Sequence, residues 1–451
     1  MDILGVRSLP FFARRNYYYE FLHLAPWGVL AGLIEGNAGA IVVAKTFHGS
    51  EFLIATATAT PIGTLLFSSV WGMLCVGRPK RQLATIFAGA SALCAATIGF
   101  TPQTRYGGIL FVIQMAASQV FLSGVVTVRS SLWKHNYPPH TRGKITARLH
   151  ALRMLAGTAV LAVSSAMFDL NPAFYRFIYP FGAFCGLAAI LILQKIHVRH
   201  EASELRGRFV IDDDAGGHAL ERFTFRHVMS PTHVWTEMAG LLRQDKRFTR
   251  YLTAQMLLGI GVQMVLPVLV ITLTDVFRRY WITFVIVEVM RRLVVFVSLR
   301  RWGRLFDRVP VSRFRVYAGT CASIGIFCGL IATFIATHLD WFGPNLGVPL
   351  AAGLFAGYSV FNGLQQGGGT LAWNLGHFDF SQRHNAELYM AAHVSLTGLR
   401  GVFAPYLGVI LLHLFPGYDW AVWLFGLLFT VTSTIAYARL AREFTPETRT
   451  V

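Results

Sequence analysis

Long apolar runs alternate with short polar ones along nearly the whole chain. A helix needs roughly 20 apolar residues to cross a bilayer. The runs predict spans at 20–44, 51–75, 82–101, 108–132, 146–168 and 174–196. Six more are predicted at 250–275, 280–299, 315–338, 346–373, 386–413 and 417–439. A polar stretch parts the two sets. The predicted fold class is an all-α membrane protein of twelve transmembrane helices, built as two pseudo-symmetric six-helix bundles. Residues 1–196 form the N-terminal bundle, 197–249 a cytoplasmic central loop, and 250–451 the C-terminal bundle. In the loop, Ser230-Pro231 is a helix-start signal, and Val234, Trp235, Met238, Leu241 and Leu242 recur at helical spacing. This predicts a short amphipathic helix on the membrane surface. A linker with chance periodicity is the alternative.

Composition supports the pattern. The chain is 54% hydrophobic and 14% charged, against about a quarter charged for soluble proteins. The net charge of +18 would suggest nucleic acid in a soluble protein, but here the basic residues collect in alternate loops. Arg78, Lys80 and Arg81 follow the second span. Lys134, Arg142 and Lys144 follow the fourth. Arg300, Arg301, Arg304, Arg308, Arg313 and Arg315 follow the eighth. The opposite loops carry Lys45, Arg105 and the pair Arg278-Arg279. The basic side faces the cytoplasm by the positive-inside rule, so both termini are expected inside a multi-pass inner-membrane protein, with no nucleic-acid partner. Cys75, Cys94, Cys185, Cys321 and Cys328 lie in or beside apolar runs without a CxxC pair. They read as small buried hydrophobes. No cleavable signal peptide is visible, and no metal or cofactor is expected.

The halves repeat. Trp71-Gly72-Met73-Leu74 and Pro79 correspond to Trp302-Gly303-Arg304-Leu305 and Pro310 at an offset of 231 residues. Val120-Phe121 and Trp133 correspond to Val360-Phe361 and Trp373 at an offset of 240. Each pair occupies the same rank in its half. Parallel six-helix repeats are a known transporter architecture, with the substrate site near the midplane between them.

The segment from Gly303 through Asp307-Arg308 and Pro310 to Arg313 resembles the loop signature of the major facilitator superfamily. Gly72 to Arg81 keeps its glycine and basic residues, with Val76 in place of the aspartate. Pro138-Pro139-His140-Thr141-Arg142-Gly143 is similar to the family's loop between helices four and five. The resemblance implies a secondary transporter working by alternating access. It implies that Asp307, with Gly303 and Arg308, docks on the start of helix five near Gly143 and Arg148 as a gating latch. A solvated loop charge is the plainer reading of Asp307. It also implies a cavity lined by helices one, four, seven and ten. Their polar residues are Asn37, Gln114, Gln119, Gln263, Asn362, Gln365 and Gln366, followed by Trp373 and Asn374. Amides both donate and accept, which suits a ligand with several polar groups; bonding between helices is the alternative.

Ionisable residues inside a membrane are costly and mark function by default. Glu35, Arg153, Glu288, Arg291, Arg292, His393 and Arg400 lie deep in predicted spans, with His150 three residues before Arg153. Glu288 can pair with Arg291 or Arg292 at i,i+3 or i,i+4. Arginines outnumber glutamates here, which favours an anionic or carboxylate-bearing solute bound by Arg153, Arg291 and Arg400. The same arginines could instead hold the halves together. Glu35, Glu288 and His393 are the candidates for proton coupling, with sodium coupling or facilitated diffusion open. The glycine run after Gln365-Gln366 reads as a flexible, cavity-facing section. Expected partners are a small solute, a coupling proton and the bilayer, and the chain is expected to be a monomer. His377, Asp379 and His384 could suggest a metal enzyme, but they read as a solvated loop. An exporter or facilitator of an amphipathic or lipid-like molecule, and a sensor that does not transport, are the other readings.

Overall fold

The computed structural model describes residues 10–75, 78–137, 139–199, 201, 231–381 and 386–443. In the N-terminal half, α1 is Phe11–Ile34 continued after a break by Ala38–Lys45, and α2 is Glu51–Gly63 continued through Thr64–Phe67 to Ser68–Cys75. They are followed by α3 (Lys80–Thr97), α4 (Arg105–Asn136), α5 (Pro139–Leu170) and α6 (Tyr175–Leu193). The C-terminal half holds α7 (Lys246–Val276) and α8, which runs Tyr280–Phe284, a π-helical turn Val285–Val289, then Met290–Phe306. It closes with α9 (Val311–Thr337), α10 (Pro344–Leu375), α11 (Ala386–Leu414) and α12 (Trp420–Arg442).

Among the described residues, ten helices are long and apolar enough to cross a membrane, or eleven with the two pieces of α1 taken as one span bent by 43°. The twelfth is α8. Glu288, Arg291 and Arg292 make it too charged, and the π turn interrupts it. Large apolar side chains on α6 point outward, among them Phe177, Phe181, Phe184 and Leu191. Such a face suits hydrocarbon and not water.

The two bundles repeat in three dimensions. In the first half α1 packs on α5 and α6, α3 on α4 and α6, and α2 on α4. In the second, α7 packs on α11 and α12, α9 on α10 and α12, and α8 on α10. The matched tryptophans do matched work. Trp71 Nε1 donates to Val120 O (3.0 Å) and Ser123 Oγ (3.1 Å) on α4. Trp302 lies over Gly367 and Gly368 of α10, where a Cβ would come within 3.2 Å of its ring.

The halves meet along α2 with α11 and α5 with α8. Their contacts gather toward the basic-poor end. The central helix, Pro231–Gln244, forms as its periodicity predicts. Part of its apolar side packs on the C-terminal half. Met238 is buried, and Leu241 and Leu242 pack with Phe248, Tyr251 and Tyr389 of the C-terminal half. The acidic run Asp212-Asp213-Asp214 lies outside the described residues.

Candidate functional site

The site grows from the break in α1. Gly36 has φ +84°, a left-handed conformation that glycine adopts without steric cost. The break frees backbone groups at mid-helix that must find partners inside an apolar medium. Each partner is a side chain from another helix. Gln119 Nε2 of α4 donates to Ile34 O (2.6 Å). Arg292 Nη2 of α8 donates to Glu35 O (2.8 Å). Asn37 N–H donates to Glu288 Oε1 of α8 (2.7 Å). Gly36 is needed twice over, because a Cβ there would stand 2.7 Å from that same Glu288 oxygen.

Glu288 is fully buried. It accepts from Arg291 Nη2 (2.6 Å) and Arg292 Nε (2.9 Å), so both pairings that the i,i+3 and i,i+4 spacing allows are made. Its carboxylate also lies at the N-terminus of the second piece of α1, where the helix dipole favours an anion. Arg291 Nη1 donates to Gln366 Oε1 on α10. Glu35 accepts from Arg153 of α5 in an ion pair, and Arg153 Nη2 lies 3.5 Å from His150 Nδ1. Two carboxylates and three guanidiniums, drawn from both halves, thus surround one broken turn.

Three further ionisable groups lie on the basic side of this break, beyond the residues singled out in the sequence. Glu20 is buried and accepts from Trp133 Nε1 (2.8 Å). Arg129 lies over the Trp27 ring and 3.4 Å from His23 Nε2, while His23 Nδ1 faces Ala189 O at 2.9 Å. Asn16, Glu20, His23 and Trp27 fall on one helical stripe, which is the signal that could have found them. They lie where an apolar run gives way to a loop, and there a charge reads as ordinary.

A second cluster fills the interior of the C-terminal half. Arg400 Nη1 donates to Gln255 O (2.5 Å). His393 Nε2 faces Gln255 Nε2 at 3.4 Å. Tyr437 OH donates to Gln255 Oε1 (3.4 Å), and Arg315 Nε donates to Tyr251 OH (3.1 Å). By charge pattern Arg315 reads as a loop residue, yet it is 2% exposed.

The remaining sequence candidates are dispersed. Gln114 bonds Thr101 Oγ1 (2.7 Å) and Thr97 O (3.1 Å), tying the α3–α4 turn away from the break. Gln263 is buried on α7, and Asn362 donates to Tyr358 OH (3.1 Å) within α10. Gln365 is half-buried. Gly367 and Gly368 admit Trp302 and not a ligand. Asp307 and Arg308 are exposed, and Gly303 has open space around it. Arg148 Nη1 is buried without a hydrogen-bond partner. No ion pair joins Asp307 to α5 among the described residues. Asp379 Oδ2 accepts from Val311 N (2.9 Å) and caps α9; His384 lies outside the described residues.

At the basic-poor end the halves are sealed. Lys45 Nζ donates to Phe277 O (2.5 Å) and Arg279 O (2.9 Å). Asp169 receives the N–H groups of Tyr280 (2.5 Å) and Trp281 (3.2 Å) at the start of α8. Phe168 stacks on Tyr280 and Phe284. Tyr406 OH donates to Thr56 Oγ1 (2.9 Å), and His413 lies 3.2 Å from Glu51. Among the described residues, no hydrogen bond joins the halves at the basic end.

No protein-family model matches the chain, and no curated protein matches it in sequence. Solved structures match it closely in shape. The xylose transporter XylE from E. coli, in a partially occluded inward-open conformation, is 15% identical with a TM-score of 0.62, over 96% of this chain and 98% of that one. A POT family transporter in complex with a thioalcohol-conjugated peptide is 11% identical with a TM-score of 0.66, over 99% and 100%. A mutant of the nucleoside transporter NupG is 13% identical with a TM-score of 0.57, over 95% and 99%. Twelve helices, two six-helix bundles with the same internal packing, and these full-length likenesses together give the chain the fold of the major facilitator superfamily transporters.

Proposed function

We propose that the protein is a secondary transporter that moves a small polar or anionic solute across the cytoplasmic membrane by alternating access. Residues 1–196 and 250–451 are the two moving bundles, joined through 197–249. One observation carries the reading. The halves are fastened to each other at a broken membrane helix, through Glu288 on Asn37 N–H and Arg292 on Glu35 O. Buried charges that bond across a domain boundary are costly where no motion needs them.

With the basic end taken as cytoplasmic, both termini are inside and the state is inward-facing. The seal at Lys45 and Asp169 closes the outer side. The exposed Asp307 then docks near Arg148 in the opposite state. Arg153 and Arg291 are occupied by Glu35 and Glu288. They work as gate charges, and a solute anion falls to Arg400. Protonation of Glu35 or Glu288 would release Arg153 or the cross-half bonds, which ties proton entry to opening. The neighbours are a xylose transporter, a nucleoside transporter and a POT family transporter bound to a conjugated peptide, which supports a solute with several polar groups.

Proteoliposomes carrying the purified protein should accumulate a solute from a labelled metabolite panel when an inward proton gradient is imposed. Glu35→Gln should abolish accumulation while sparing exchange. Binding without flux of any bound solute would sink the transporter reading and leave a sensor.

A further inference from the structure

The C-terminal half holds two arginines without an acid, Arg315 buried and Arg400 half-buried. Neither Arg315 nor Arg400 has a carboxylate within ion-pair distance among the described residues. Arg315, at the start of α9, bonds Tyr251 through Nε, yet its Nη2 is buried with no hydrogen-bond partner. Arg400 lies on Gly259 of α7, in the space a side chain would take. It bonds Gln255 O through Nη1, and its Nε is buried with no partner.

His393 belongs to the same cluster. It is 1% exposed, and its ring contacts those of Tyr251 (6.5 Å between centroids) and Trp373 (6.0 Å). The Gln255 amide nitrogen can only donate, so His393 Nε2 accepts from it. The ring proton is then on Nδ1, which is buried and has no acceptor. The amide oxygen of Gln255 is taken by Tyr437. What remains unsatisfied on these two guanidiniums and one neutral imidazole is therefore all donor: Arg315 Nη2, Arg400 Nε and His393 Nδ1. A buried unpaired charge is among the costliest features a fold can carry; Arg315 is one, and the half-buried Arg400, with its Nε buried, adds to it.

We propose that this cluster is an oxyanion site for a phosphate-type dianion, either free inorganic phosphate or the phosphoryl group of a larger solute. Two negative charges balance the two guanidiniums, and several oxygens answer donors that arrive from α9 and α11. Arginine forks are suited to such groups. On α10, Gly369 leaves its surface open between Gln365 Nε2 and Arg315 Nη1, where a Cβ would stand 3.4 and 4.0 Å from them. The link to transport rests on the reading above; the binding does not.

The test is thermal unfolding of the detergent-purified full chain in phosphate-free buffer. Inorganic phosphate, glycerol phosphate and chloride are titrated at matched ionic strength. Phosphate should raise the melting temperature saturably, above any effect of chloride. Arg315→Gln and Arg400→Gln should each weaken the midpoint by about tenfold or more, and Arg105→Gln, an exposed site at the other end, should not. Should Arg315→Gln fail to fold, Arg315→Lys decides with Arg400→Gln, because lysine keeps the charge and loses the fork. Equal or tighter binding of glycerol phosphate assigns the phosphoryl group of a larger solute, and binding of inorganic phosphate alone assigns the free ion. The proposal is overturned if neither phosphate compound exceeds chloride, or if the arginine variants keep the wild-type midpoint. Phosphate binding without flux would sink the transporter and spare the site. Flux of a neutral solute without phosphate binding would do the reverse.

Discussion

Glu288→Gln isolates the bond that joins the halves. The amide has the size of the carboxylate but not its charge. Across the boundary, Asn37 N–H loses a charged acceptor at 2.7 Å. A hydrogen bond to a charged group is worth about 1.5–3 kcal/mol and a neutral one about 1, so roughly 1–2 kcal/mol is lost there. The carboxylate also sits at a helix N-terminus, which adds up to about 1 kcal/mol. Arg292 keeps its bond to Glu35 O, so the latch is weakened and not erased. A loss of about 1–3 kcal/mol confined to this state moves the population about 5- to 150-fold toward the other one. A second effect has a separate readout. Arg291 and Arg292 are left without their acid, which costs folding stability of about 3–5 kcal/mol and lowers the melting temperature. Spin-label distances in a cysteine-free background separate the two. Labels at His48 and Asp340 span the sealed end, and labels at Gln82 and Arg308 span the basic end; all four positions are exposed. The variant should lengthen the first distance and shorten the second. A folded variant with both distance distributions unchanged would refute the latch.

Three further outcomes follow from the same geometry. Lys45→Met removes two charged hydrogen bonds to carbonyls of the opposite half; a cysteine placed at Thr46 should then react with an impermeant thiol reagent about tenfold faster or more. Gly401→Val would place a Cβ 2.6 Å from Ile62 Cγ2 and 2.7 Å from Gly63 N. It should force α11 off α2, lengthen the His48–Asp340 distance and abolish flux while the protein still elutes as a folded species. His377, in the turn after α10, has its pKa pushed down to about 4 by burial, from an ordinary 6.5. Its neutral form stabilises the fold fully above pH 6.5, and that contribution is lost as pH falls from 6.5 toward 4, because the unfolded chain takes the proton first. Melting temperature measured from pH 7.5 to 4.5 should fall more steeply for the wild type than for His377→Asn.

The spans were legible because a bilayer demands them, and the repeat because Trp71 and Trp302 do one job twice. The pairings of Glu288 were legible because they are local to one helix. The partners of Glu35 and Arg153 were not, since the α1–α5 contact is 118 residues apart in sequence. Gln119 reads as cavity lining, yet its amide satisfies Ile34 O; nothing in a run of apolar residues marks which carbonyl has left its helix. Arg315 reads as one more loop arginine, and only the packing of Tyr251 and Tyr437 around it shows that it is interior. The glycine run after Gln366 reads as room for a ligand, yet a tryptophan from α8 fills the space over Gly367 and Gly368, and only Gly369 stays open.

The two irregular helices are irregular at the same place. α1 unwinds at Glu35-Gly36-Asn37, and α8 widens into a π turn at Val285–Val289. A π turn inside an α-helix often marks a functional site, and an unwound membrane helix is tolerated only where protein satisfies its backbone. Here each defect answers the other. The π turn carries Glu288, and the unwound turn offers the N–H that Glu288 accepts and the carbonyl that Arg292 reaches. Neither helix gains stability alone from its defect. The gain exists only while the halves are together in this state, so the free energy of both defects depends on the position of the opposite half. A regular α1, as in a variant with Gly36→Ala, would have no free N–H to give and would bring a Cβ against the Glu288 carboxylate. The expected result is a folded protein whose halves part at the sealed end even with Glu288 intact, read by the same pair of labels at His48 and Asp340. If Gly36→Ala keeps the wild-type distance, the break is not what joins the halves.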